Sequence, residues 1–152
     1  MNFSTVVLTD KVELTEDIGR ALAQELCKDN GLPRFVAMYG DLGVGKTSFV
    51  RGFASVLSPS STVKSPTFAL VNEYRCGENP AGIKRICHFD MYRIVDEDDL
   101  YSVGFYDYLR PDSLCIAEWC EMIPYALPKS YVKVEIEKTD LGNGRKITVS
   151  LV

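Results

Sequence analysis

One stretch constrains this chain more than any other. Gly40-Asp41-Leu42-Gly43-Val44-Gly45-Lys46-Thr47 matches the pattern G-x-x-x-x-G-K-[ST]. At ordinary residue usage a random chain of this length would carry that pattern about once in two hundred. The flanks are the ones the pattern needs. Arg34 to Tyr39 is a short apolar run suited to a buried strand, and Lys46 to about Leu57 carries Phe49, Val50, Phe53, Val56 and Leu57 at helical spacing. Strand, glycine loop and helix in that order make a phosphate cradle. The glycines let the backbone curl so that successive N–H groups face inward. The helix start adds unpaired N–H groups and the positive end of its dipole. Lys46 then reaches the β- and γ-phosphates, and the Thr47 hydroxyl is placed to ligate Mg²⁺. A side chain at Gly43 or Gly45 would most obstruct the phosphates; Asp41, Leu42, Val44 and Ser48 complete the expected contacts. The expected ligand is ATP–Mg²⁺. Guanine-specific switches usually carry N-K-x-D and D-x-x-G, and neither occurs in this chain.

The remaining chain alternates around this unit. Phe3 to Leu8 is β-branched and apolar, a first strand. Thr15 resembles an N-cap, with Glu16 and Asp17 suited to a first turn and Ile18, Ala21, Leu22 and Leu26 on one face; Asn30-Gly31 and Pro33 end that helix. Two strands are expected at Thr67–Tyr74 and Ile83–Asp90, with a Gly/Asn/Pro-rich connection. Asp96 to Asp99 opens a short helix, Leu114 to Ala117 is a buried strand, and Tyr131–Lys138 with Lys146–Val152 forms a hairpin around Asp140–Gly144. The expected fold is α/β, P-loop NTPase-like: one domain over 1–152, three layers, and a partly parallel central sheet with antiparallel additions. Ligands belong at the C-terminal ends of the parallel strands.

A phosphate cradle usually needs an acid on a neighbouring strand end to hold the metal shell. Two residues qualify: Asp90, after Ile86-Cys87-His88-Phe89, and Glu118, after Leu114-Cys115-Ile116-Ala117. Composition narrows the class further. A net charge of −4 argues against a stand-alone nucleic-acid binder. No apolar run approaches the roughly 18 residues of a membrane helix, and the N-terminus lacks the basic-then-apolar order of a secretory leader. Five cysteines without C-x-x-C read as reduced thiols of a cytoplasmic protein.

Beyond the loop, the chain carries Val63-Lys64-Ser65-Pro66-Thr67-Phe68, His88-Phe89-Asp90-Met91-Tyr92-Arg93, Gly104-Phe105-Tyr106-Asp107-Tyr108-Leu109 and Ala117-Glu118-Trp119. In this order and spacing it resembles the TsaE (YjeE) family, the ATPase component of the bacterial machinery that makes threonylcarbamoyladenosine in tRNA. The resemblance covers nearly the whole chain, and only in general pattern over the last thirty or so residues. It implies that Gly43 to Thr47 hold the triphosphate, with Thr47 and Glu118 on Mg²⁺ and Asp90 needed for hydrolysis. Ser65, Pro66 and Thr67 fall where the family has a switch-like loop, and Trp119 is tied to function. Val12 to Thr15, just before the first helix, would lie near the adenine. It further implies a regulator that binds a TsaD–TsaB heterodimer, meets tRNA only indirectly, and does not itself transfer the threonylcarbamoyl group. Weak hydrolysis by the isolated chain is expected, because no motif identifies an arginine finger. Two other classes compete: a kinase, for which the acidic Asp96–Asp99 is a poor lid, and a nucleotide-dependent binding module.

Overall fold

A computed structural model describes residues 4–41, 43–66, 70–140 and 142–152 of the chain. The elements are β1 (Ser4–Thr9), α1 (Val12–Leu26), β2 (Phe35–Tyr39), α2 (Lys46–Leu57), β3 (Val71–Arg75), β4 (Arg85–Asp90), α3 (Glu97–Ser102), β5 (Ser113–Glu118), β6 (Val132–Lys138) and β7 (Arg145–Leu151), with 3₁₀ turns at Phe105–Tyr108 and Cys120–Met122. They build a seven-stranded sheet in the order β1-β7-β6-β2-β5-β4-β3. The four strands β6, β2, β5 and β4 are parallel, and the antiparallel strands sit outside them: β7 and β1 on one side, β3 on the other. This is the mixed sheet expected from the sequence.

Period-2 alternation sorts the strand residues between two cores. Val36, Met38, Ile86, Leu114 and Ile116 face α1 and α2, where Leu22, Phe49, Val50 and Phe53 are buried with them. Phe35, Ala37, Cys87, Phe89, Cys115 and Ala117 face the other way, onto Leu100, Phe105, Cys120 and Ile123 from α3 and the 3₁₀ turns. Every residue of β5 is buried, as a strand covered on both faces must be.

Two glycines set how closely the helices of the first layer approach. A Cβ on Gly52 of α2 would lie 1.9 Å from the Glu16 carbonyl oxygen, and one on Gly19 of α1 would lie 2.1 Å from that of Phe49. Each helix presses its backbone into the gap left by the other's glycine, which fixes α2, and hence the loop before it, against the first turn of α1.

The largest difference from expectation lies at the start of α1. It begins at Val12, with Lys11 as an N-cap that makes no side-chain cap bond. Thr15 is therefore not the cap. It is buried inside the helix, its hydroxyl 3.5 Å from that of Thr9. Val12 and Thr15 thus belong to the helix rather than to the segment before it. The expected strand at 67–74 runs from Val71 among the described residues; 67–69 lie outside them. Asp96 caps α3 as its acidic start requires, its carboxylate accepting from the Asp99 N–H. Among the described residues no helix is long and apolar enough to cross a membrane.

Candidate functional site

The C-terminal ends of β2, β5 and β4 meet the N-terminus of α2. Gly45 precedes α2 at φ 110° and Gly43 lies at φ 75°, backbone conformations that L side chains rarely adopt. That curl turns the loop back so that the first N–H groups of α2, which have no partner inside the helix, face the strand ends. Side chains brace the loop from outside. Arg145, on β7, donates through Nε to the Val44 carbonyl at 2.9 Å and through Nη2 to that of Gly43 at 3.3 Å. Glu121 accepts the Gly40 N–H at 3.0 Å.

Two adjoining clefts, each of about 430 Å³, share Gly43, Gly45 and Ser48 as a common wall. Lys46, Thr47, Ser65, Asp90, Arg93, Glu118 and Trp119 join them in the first. Lys11, Val12, Thr15, Val44, Asn143 and Arg145 are among those that line the second. The residues expected to act on phosphates and metal are thus brought together, and those expected near a base lie next door. Asp41 is not in either cleft; it is exposed and borders a separate hollow with Lys133 and Glu135. Leu42 and Thr67 lie outside the described residues. A larger hollow, about 780 Å³, is lined by Arg75, Asn79 and Lys84 beside the β3–β4 connection. It lies at the opposite end of the parallel strands from the loop.

Register explains the pairing of the two acids. Asp90 and Glu118 are partners at the ends of β4 and β5, so their side chains emerge side by side on the α2 face of the sheet. Both are buried, at 6% and 4% exposure. One Asp90 oxygen accepts the Tyr92 N–H at 2.9 Å. The Glu118 carboxylate is met by His88 Nε2 at 2.5 Å, and His88 Nδ1 lies 3.1 Å from the Tyr74 hydroxyl. A threonine hydroxyl and two carboxylates are hard oxygen donors, and as a set they fit Mg²⁺.

Lys46 is buried among these groups. Its Nζ donates to the Gly40 carbonyl and lies 3.6 Å from the centre of the Trp119 ring. Burial pushes its pKa below the ordinary lysine range, against the pull of Glu118, Glu121, Asp90 and Asp41. Trp119 is held at φ 60°, a left-handed conformation that costs a non-glycine residue on the order of 1–3 kcal/mol. Its ring also packs on Tyr92, with centroids 4.9 Å apart. The strained backbone turns the indole from the end of β5 back over the lysine.

Residues 9–147 match the family described as threonylcarbamoyl adenosine biosynthesis protein TsaE. The chain belongs to the TsaE family. Relatives described as tRNA threonylcarbamoyladenosine biosynthesis protein TsaE include one from Haemophilus influenzae, 43% identical over 69% of this chain and 63% of its own length. The chain therefore spans a little under two thirds of that relative. A TsaE of Bacillus subtilis is 34% identical over 77% of this chain and 69% of its own. One of Nostoc sp. is 33% identical over 91% and 80%. The crystal structure of Bacillus subtilis YdiB superposes with a TM-score of 0.69 at 25% identity, covering 98% of this chain and 86% of that one.

Sequence reasoning missed three contributors to this cleft and its loop. Arg145 stands 101 positions from Val44, and no local pattern signals so distant a contact. Glu121 stands 81 positions from Gly40 and belongs to none of the motifs. Tyr74 was read as no more than the end of a strand, although Tyr74, His88 and Glu118 all fall on the α2 face by the same alternation that fills the core.

Proposed function

We propose that this chain binds ATP–Mg²⁺ across the two clefts, hydrolyses it, and works in the cytoplasm as the ATPase subunit of tRNA threonylcarbamoyladenosine biosynthesis. In this reading it acts on a TsaD–TsaB pair and meets tRNA only through it. The observation that carries the proposal is the convergence of Lys46, Thr47, Asp90 and Glu118 on one cleft beneath the α2 N-terminus. The TsaE relatives, described as tRNA threonylcarbamoyladenosine biosynthesis proteins, support the pathway.

The residues divide the work by chemistry. The α2 N–H groups and Lys46 hold phosphate oxygens. To do so Lys46 exchanges its bond to the Gly40 carbonyl for one to an anion. Thr47 and Glu118 are the residues that would hold Mg²⁺, which would neutralise β- and γ-phosphate charge when bound. Asp90 is the acceptor for a hydrogen bond from the attacking water. Val12, Thr15 and Ser48 border the cleft that takes the nucleoside. Ser65 faces the phosphate cleft from the loop after α2. Arg93 also lines this cleft. A partner that adds an arginine of its own would raise the rate by up to about 10³–10⁵.

The test is ATP hydrolysis by the purified chain, alone and with TsaD–TsaB. Slow turnover that the pair strongly stimulates is the expected result. Unstimulated turnover near ten per second, or phosphate transferred to an added metabolite, would overturn it.

A further inference from the structure

Behind the cleft wall runs a line of polar contacts that reaches from Glu118 to the loop after α2. His88 is fully buried. Its Nε2 lies 2.5 Å from Glu118 Oε2, and its Nδ1 lies 3.1 Å from the Tyr74 hydroxyl. That hydroxyl is 3.3 Å from the Lys64 carbonyl, which also accepts from Asn72 Nδ2 at 3.1 Å. Burial pushes the Tyr74 phenol above its ordinary pKa, so it remains an O–H donor. A carboxylate only accepts, so the hydrogen between His88 and Glu118 belongs to Nε2. This holds whether Nδ1 accepts from Tyr74 or donates to it. The Lys64 carbonyl is satisfied in both arrangements, by Asn72 or by Tyr74 and Asn72 together.

The ends of this line both open on the same cleft. Glu118 and Ser65, which follows Lys64, line it; His88 and Tyr74 do not. We propose that His88 is a positioning residue: it aims the Glu118 carboxylate at the metal position, and the Tyr74 hydroxyl against Nδ1 holds its ring in that orientation. This rests on the reading of Glu118 as a metal-binding acid. A partner of a metal ligand, when removed, typically costs 10–100-fold in metal affinity. His88 would therefore show itself in Mg²⁺ dependence before anything else.

The experiment uses the full chain and three variants. His88→Gln carries an amide that reaches the Nε2 position, whereas the His88→Asn amide reaches only the Nδ1 position. Tyr74→Phe keeps the ring and its packing and loses the hydroxyl. Calorimetric binding of a non-hydrolysable ATP analogue is measured across a Mg²⁺ series and in EDTA, with thermal melts of each protein. Expected results are a rise of about tenfold or more in the Mg²⁺ needed by His88→Asn, a smaller rise in Tyr74→Phe, rescue in His88→Gln to about the Tyr74→Phe level because Gln also loses the Tyr74 contact, and unchanged binding in EDTA. A general structural defect would weaken binding in EDTA as well, and would overturn the proposal. So would folded His88→Asn and Tyr74→Phe proteins with wild-type Mg²⁺ dependence. If His88→Asn does not fold, a wild-type Mg²⁺ series in Tyr74→Phe overturns it and a raised one supports it. Failure of the wild-type chain to bind nucleotide at all is a different result. It refutes the function proposed above, and this inference with it.

Discussion

Replacing Gly52 by alanine tests the link between helix packing and the nucleotide cradle. In an isolated helix the change is favourable by about 1 kcal/mol, since glycine is a poor helix former. Here the new methyl would lie 1.9 Å from the Glu16 carbonyl oxygen and 2.6 Å from the carbon behind it. Both atoms are backbone, so no side chain can swing aside. Ordinary contact requires α1 and α2 to separate by roughly an ångström or more. Overpacking of this kind costs about 1–3 kcal/mol, and a backbone obstacle places it at the upper end. The net is a destabilisation of about 2 kcal/mol, or about 4–8 °C in Tm for a chain of this size. Because α2 begins at Lys46, the same shift displaces the cradle and weakens nucleotide binding. Thermal melts followed by nucleotide titration read both effects. Gly77→Ala serves as the control, since its added methyl meets nothing within 4 Å. If Gly52→Ala melts at or above wild type, the reciprocal glycine packing does not set the distance between these helices.

Three further outcomes follow from the site. Asp90→Ala leaves ATP binding largely intact and abolishes hydrolysis, as filter binding and phosphate release on one preparation would show; a loss of binding instead would make Asp90 a binding residue. Arg145→Ala frees the Val44 and Gly43 carbonyls from their brace and weakens nucleotide binding about fivefold, the equivalent of one modest hydrogen bond at a partly exposed site; unchanged affinity would mean the loop holds its shape without it. Lys46 must be protonated to hold a phosphate, and its pKa lies below the ordinary lysine value. Binding therefore takes up protons on the alkaline side and weakens as pH rises through that lowered pKa. Lys46→Arg moves the loss to higher pH, which titrations in buffers of different ionisation enthalpy would detect.

How much of this was legible depends on how far each signal reaches along the chain. The β2–loop–α2 unit could be read closely because its determinants lie within about twenty consecutive residues, and α2 spans Lys46–Leu57 as expected. Asp90 and Glu118 were legible as strand-end acids; that they stand in register was not, because parallel pairing is a matter of tertiary structure. The start of α1 misled for a physical reason. Thr15-Glu16-Asp17 has the chemistry of a helix start, yet the chain turns helical at Val12, right after β1, with no capping side chain at Lys11 to signal it. The threonine is used inside, beside Thr9. Glu121 and Arg145 were invisible because each acts on the loop from an element remote in sequence, 81 and more than 100 positions away.

Trp119 joins these levels and offers a direct reading of the cleft. It is the single tryptophan in the chain, so all indole emission comes from this position. Its ring is in contact with both the Lys46 ammonium and Tyr92, and its backbone is left-handed. A cation over an indole is worth roughly 0.5–2 kcal/mol. A polyphosphate in the cradle competes for that ammonium with a charge-assisted interaction that is stronger. Nucleotide binding should therefore change the intensity and wavelength of Trp119 emission. Saturation should match the calorimetric affinity, and Lys46→Ala, which removes the cation, should abolish most of the response even at nucleotide concentrations high enough to fill the site. An emission change of wild-type size in Lys46→Ala would show that Trp119 reports a rearrangement of the end of β5 instead. An absent change in wild type, with nucleotide bound, would mean that Lys46 does not leave the indole to take the phosphate.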